Sequence, residues 1–206
     1  CSNRLLDVVY PRRCGCCGLL SAEFLCSTCR DSMREYMEFV PEPFGSPLDG
    51  WFAAFHYEGR ADQAVQNLKY HRVTSLALPM AKLLGESYRN CPELDADIII
   101  PVPIHWTRRC FRGFNQAELL CTELPQSSLE FQSLKRNRAT RPQVGLTMAQ
   151  REENLVGAFQ CARTFDGEKI LLIDDVTTSG QTARECARTL LAAGAGPIVL
   201  LTFASG

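Results

Sequence analysis

Two groups of residues have types and spacings that can do chemistry: four cysteines near the start of the chain, and an acidic, hydroxyl- and glycine-rich stretch near its end. Cys14 and Cys17 form one C-x-x-C and Cys26 and Cys29 another, with eight residues between the pairs. Two residues between thiols let a tight turn aim both sulfurs at one ion, and two such turns complete a tetrahedron around Zn²⁺. Gly15 and Gly18 ease those turns. With all four positions filled by protein the site is structural, since no position is left for water or substrate. Cys16 competes with its neighbours as a ligand, and two redox-active dithiols or an iron site of the same geometry stay as alternatives.

The second group is Ile170-Leu-Leu-Ile-Asp-Asp-Val-Thr-Thr-Ser-Gly-Gln-Thr182. An apolar strand ends in Asp174 and Asp175, and a turn then opens a helix. Unpaired backbone N–H groups at a helix start converge on an anion. Gly180 allows close backbone approach, and Thr177, Thr178, Ser179, Gln181 and Thr182 surround the same point with uncharged polar groups, the four hydroxyls as donors. Such a loop suits a terminal phosphate, and the two carboxylates suit the 2′- and 3′-hydroxyls of a ribose, so the ligand expected is a ribose 5-phosphate. Consecutive strand residues face opposite ways, which makes the aspartates a poor acid/base pair for hydrolysis. A strand ending in two aspartates also fits the magnesium strand of a P-loop ATPase, but no G-x-x-x-x-G-K-[ST] occurs.

Elements must hold these groups in place. The 206 residues are 46% apolar and 22% charged, enough for one ordinary core with a small appendage. A net charge of −1 gives no overall field for nucleic acid or an anionic membrane. Local basic stretches lie at 108–112 and 135–141. No run of about 18 apolar residues occurs, so the chain is expected in the cytoplasm, without membrane insertion. The remaining cysteines of the eleven are scattered rather than framed for disulfides.

A short helix is expected over 31–38. Pro41, Pro43 and Pro47 with Gly45 then mark a linker, placing a zinc module and linker at 1–47 and a second domain at 48–206. In that domain strands are expected at 51–57, 98–100, 169–173 and 198–203. Helices are expected at 61–70, 76–88, 116–123, 148–158 and 180–193, the last burying Ala183, Ala187, Leu190 and Leu191. Alternating strands and helices mean an α/β fold with a parallel sheet.

The 170–182 segment resembles the phosphoribosyl pyrophosphate signature of type I phosphoribosyltransferases. The chain as a whole is similar to the ComF family, competence-associated proteins that pair a four-cysteine module with that fold. The matching stretches are Tyr57 with Gly59, Leu68-Lys-Tyr70, Pro101-Val-Pro103, Arg112-Gly-Phe-Asn-Gln116, Arg138-x-Thr140-x-x-Gln143, Arg151-x-x-Asn154 and Gly157-Ala-Phe159. The crowded Cys14-Gly-Cys-Cys17 departs from the pattern.

The resemblance implies a type I phosphoribosyltransferase fold, a phosphoribosyl pyrophosphate ligand with Mg²⁺, and service in DNA uptake. Arg108, Arg109 and Arg112, in the loop after the 98–104 strand, are candidates for the pyrophosphate, against a reading as a solvated basic loop or a patch for a nucleic-acid phosphate backbone. Lys69 reads as a helix C-terminal charge sooner than as a ligand group. Stretch 137–148 is a candidate lid. No base or acceptor pocket is visible. Three roles stay open: a transferase with an unidentified acceptor, a ligand-sensing partner of DNA-uptake proteins, or a single-stranded DNA adaptor.

Overall fold

Three adjacent apolar runs form one side of the sheet out to its edge, each shielded on both faces as a parallel strand requires. They are β3 (Ile98–Pro101), β6 (Ile170–Thr177) and β7 (Ile198–Ser205), joined by β2 (Gly50–His56) and, at one edge, β1 (Glu35–Pro41). The sheet order is β1-β2-β7-β6-β3, with β1 antiparallel to β2 and the other pairs parallel. The computed structural model describes residues 11–43, 46–138 and 155–206. Residues 139–148 of the expected lid, most of the helix expected over 148–158, and Thr140, Gln143, Arg151 and Asn154 lie outside the described residues.

Alternation along the strands sorts their side chains into two cores. Leu171, Ile173, Val199, Leu201 and Ile99 face one way, packing with α2 (Gly59–Tyr70), α3 (Ala77–Asn90), α5 (Gln116–Leu120) and the N-terminal cysteines. Ile170, Leu172, Ile198, Leu200, Ile98 and Ile100 face the other way, toward α6 (Gln181–Ala192) and the small β4 (Leu134–Arg136) and β5 (Phe159–Cys161) hairpin. On α6 the buried residues are Ala183, Glu185, Cys186, Ala187 and Leu190, whereas Leu191, expected inside, is exposed.

The helix expected over 31–38 is replaced by α1 (Ser27–Asp31) and by β1. Helix-forming charged residues such as Glu35 and Glu38 yield there to pairing with β2, with Phe39 opposite Phe52 and Val40 opposite Trp51. Charges and Pro41 on this edge discourage further strand addition. The boundary expected near residue 48 falls between β1 and β2, and the strand on its N-terminal side belongs to the sheet.

The loop expected to carry Arg108, Arg109 and Arg112 is a helix, α4 (Trp106–Arg112). His105 caps its start by accepting from the Thr107 N–H, and Gly113 ends it at φ 87. That left-handed conformation is one glycine adopts without Cβ strain. Among the described residues no helix is long and apolar enough to cross a membrane.

Candidate functional site

The connection after β3 runs to α5 on one face of the sheet, and the connection after β6 runs to α6 on the other. Neighbouring parallel strands whose connections part in this way leave a crevice at their carboxyl ends, the usual ligand position of open α/β sheets. A cleft of about 450 Å³ lies there. Asp174, Asp175 and Thr182 line it from the β6 side, Arg108, Arg112 and Gln116 from the β3 side, with Lys69 from α2 and Arg136 from β4.

Period-two alternation places the carboxylates on opposite sides of the sheet's edge. Asp175 turns toward α2, where Lys69 Nζ lies 2.9 Å from its Oδ1. Asp174 turns toward α6 and β4, its Oδ1 accepting the Asp175 backbone N–H at 2.8 Å. Burial, and then the neighbouring Asp175 charge, push the Asp174 carboxyl up to about 8 against the opposing pull of Lys69. Burial works against the Lys69 ammonium, yet Asp175 and Asp174 outweigh it and hold its pKa above the ordinary value.

The opposite wall gathers positive charge. Burial, and next Arg112, disfavour the charged form of Arg108. Burial, and next Arg108, bring Arg136 down to about 10. Crowded guanidinium groups facing a solvent-filled cleft are relieved by a bound anion. Arg112 stacks over the Tyr70 ring at 5.4 Å. Arg109 is turned away onto Glu118, into a neighbouring pocket of about 410 Å³ beside Trp106 and Phe131.

The stretch 112–116 divides its work residue by residue. Arg112 faces the cleft, Gly113 stops α4, and Phe114 packs on the core. Asn115 caps α5 by accepting from Ala117 N while its amide donates to the Val102 carbonyl at 3.1 Å. The buried Gln116 lines the cleft, and its Nε2 has no hydrogen-bond partner among the described residues.

Residues 177–182 surround a nook of about 50 Å³ that also touches Asp174 and Ala183. Thr177, Thr178, Ser179, Gly180, Gln181 and Thr182 line it together, and nook and cleft meet at Asp174, Val176 and Thr182. Gly180 is the N-cap of α6 at φ 69.

On the far side of the first core, the sulfurs of Cys14, Cys17, Cys26 and Cys29 all lie within 4.8 Å of one another. Cys17 and Cys26 Sγ are 3.9 Å apart, too far for a disulfide. Burial pushes the Cys14 thiol up, but N–H groups of Cys26, Cys17 and Cys16 more than offset this and bring it to about 6. Burial, then hydrogen bonds from neighbouring thiols, push Cys29 up. Four thiols clustered in this way, Cys14 and Cys29 buried and Cys17 and Cys26 half-buried, fit a structural zinc. Cys16 is outside the set: its Sγ points to the Arg60 carbonyl at 3.6 Å. Gly15 serves packing, since a Cβ there would fall 2.7 Å from Leu76 Cγ. Asn67 Nδ2 fastens this turn to α2 through the Gly15 carbonyl at 2.8 Å.

Sequence reasoning underweighted Lys69 and missed Arg136 and Gln116. Lys69 and Gln116 do lie in stretches shared with the family, which was the available signal. Arg136 had none beyond its basic neighbourhood.

Fold and site define a mixed α/β protein with a mostly parallel sheet, a four-cysteine cluster and an acidic-and-basic cleft at the strand ends. No protein-family model matches the chain. It is 31% identical over 218 residues to the DNA utilization protein YhgH of Salmonella typhi, covering 93% of this chain and 96% of that protein. Competence protein F of Haemophilus influenzae is 29% identical over 192 residues, 81% of this chain and 83% of the relative. The chain belongs to the ComF family.

Proposed function

We propose that the 48–206 region is a type I phosphoribosyltransferase fold and that the cleft binds phosphoribosyl pyrophosphate with Mg²⁺. The observation that carries this is the meeting of three ligand environments in one crevice. The nook at 177–182 suits the 5-phosphate. Asp174 and Asp175 suit the ribose hydroxyls, and Arg108, Arg112, Arg136, Lys69 and the Gln116 amide suit the pyrophosphate. Asp174 and Asp175 are also the carboxyl groups among the described cleft residues, and a divalent cation bound there would favour the ionised form of Asp174. Magnesium entering with the ligand would neutralise the pyrophosphate leaving group.

Phosphoribosyl transfer breaks the C1′–O bond to pyrophosphate and forms a bond from C1′ to an acceptor. The chain's part is to hold the ribose by its diol and phosphate while the arginines stabilise departing charge. Closed by four thiolates, the zinc site is structural. The test is thermal: with Mg²⁺, phosphoribosyl pyrophosphate at a hundredfold excess over its Kd should stabilise the fold by about 2.7 kcal/mol, with a smaller shift from ribose 5-phosphate. No shift with either ligand at millimolar concentration overturns the reading. Pyrophosphate release across a panel of acceptors then separates a transferase from a ligand-sensing protein.

A second reading is favoured by α4, which exposes Trp106 (66%) and Phe111 (75%) among Arg108, Arg109 and Arg112. Aromatic faces beside cations are what single-stranded nucleic acid stacks on. In this reading the protein is a DNA adaptor working with uptake proteins, consistent with the names of its relatives. A steep fall of single-strand affinity with salt supports it, and a salt-independent or absent affinity removes it.

A further inference from the structure

Arg184 lies on the first turn of α6, outside the cleft and outside the nook. Its Nη1 donates to the Ser179 carbonyl at 2.7 Å, and its Nη2 donates to Glu42 Oε1, also at 2.7 Å. The Glu42 side chain is only 8% exposed, and its other oxygen accepts from Ser46 Oγ at 3.2 Å. A guanidinium fixed at one end by a buried carboxylate is a stiff post, because its planar fork loses little further freedom on making a second bond.

That post acts on one peptide bond. The carbonyl of Ser179 and the N–H of Gly180 share a plane and point in opposite directions. With the carbonyl turned onto Arg184, the Gly180 N–H points away from that guanidinium, and Gly180 is one of the residues lining the nook. Left unbraced, this peptide could rotate, since glycine tolerates both orientations. A carbonyl oxygen would then face the nook and repel an anion. The guanidinium also crosses close over Gly180: a Cβ there would fall 2.9 Å from Arg184 Nη1.

We propose that Arg184, seated on Glu42, is a positioning residue that sets the nook for anions by locking the 179–180 peptide, without touching the ligand itself. The inference rests on the phosphate reading of the nook and assigns its orientation to a half-buried ion pair that reaches back to the residue following β1. Affinity for the 5-phosphate thereby depends on Glu42, which is remote in sequence and absent from the cleft lining.

The test is titration of the full chain with ribose 5-phosphate and, separately, with magnesium pyrophosphate, following affinity by calorimetry and the Gly180 amide by NMR. In the unaltered protein, ribose 5-phosphate should bind and move the Gly180 resonance. Arg184→Ala should weaken ribose 5-phosphate about tenfold, the loss expected when a charge-assisted hydrogen bond is removed. It should abolish the Gly180 shift and leave pyrophosphate affinity within about twofold. Arg184→Lys, which keeps one donor, should recover part of the loss, and Glu42→Gln should reproduce it in milder form with the arginine still present. Should Arg184→Ala fail to fold, Glu42→Gln carries the comparison. Unchanged ribose 5-phosphate affinity with an intact Gly180 shift in the variants overturns the brace alone. Equal losses for both ligands overturn it in favour of general loosening. Absence of ribose 5-phosphate binding in the unaltered protein overturns the brace together with the phosphate reading beneath it.

Discussion

Lys69 Nζ stands 2.9 Å from Asp175 Oδ1, joining the end of α2 to the end of β6, with side chains 19% and 8% exposed. The cleft therefore holds its own counter-cation, and one of its two carboxylates is neutralised before any ligand arrives.

Lys69→Met should destabilise the protein by about 3 kcal/mol, because removing one partner leaves a buried charge without compensation. Adding Asp175→Asn should restore much of that loss, since the double variant has no stranded charge. Urea midpoints of the four proteins measure the coupling, and additive losses would show that the pair is not coupled.

The pH dependence of stability should report Asp174. Its pKa is raised to about 8 in the folded protein, so between the ordinary carboxylate range and pH 8 the folded state binds the extra proton. Raising pH through that window costs stability, and the effect levels off above about 8. Asp174→Asn should be the more stable protein at pH 8, by about 5 kcal/mol at roughly 1.4 kcal/mol per pH unit, with the difference vanishing toward pH 4. Parallel stability curves for the two proteins would contradict this.

Metal content should be about one zinc per chain, lost in Cys26→Ser, where three thiolates leave an open and weaker site. Cys16→Ser should keep its zinc, as that thiol is not one of the four mutually close sulfurs and donates instead to the Arg60 carbonyl. Cys91→Ser and Cys121→Ser should keep it also. Retention in Cys26→Ser, or loss in Cys16→Ser, would show the ligand set to be different.

Gln116→Met should separate stability from binding. Its Nε2 is buried without a partner among the described residues, so replacing it by an apolar group of similar size should leave the ligand-free protein at least as stable. Affinity for phosphoribosyl pyrophosphate should nonetheless fall about tenfold, through loss of a donor to a charged group. Calorimetry alongside thermal melts tests both halves, and undiminished affinity would place Gln116 outside the ligand's reach.

The features legible in the order of residues are the local ones. Two C-x-x-C turns fix which sulfurs can meet, and in the structure they meet. An apolar run ending in Asp174 and Asp175, followed by a turn with glycine at the helix start, determines a strand, a loop and α6. Each of these depends on neighbours a few residues away, through period, turn chemistry and capping. Features that depend on partners distant along the chain emerged only on folding. Segment 35–41 became a strand because β2 offered it an edge, against its own helical propensity. Lys69 looked like a helix-terminal charge until folding set Asp175 beside it. Gln116 and Arg136 entered the cleft only when β3 and β4 reached the end of β6, and the choice between Cys16 and its neighbours fell to the packing of that turn on α2. Spacing along the chain carries short-range geometry; which distant side chains share a cleft is set by strand order and by which face of the sheet each connection takes.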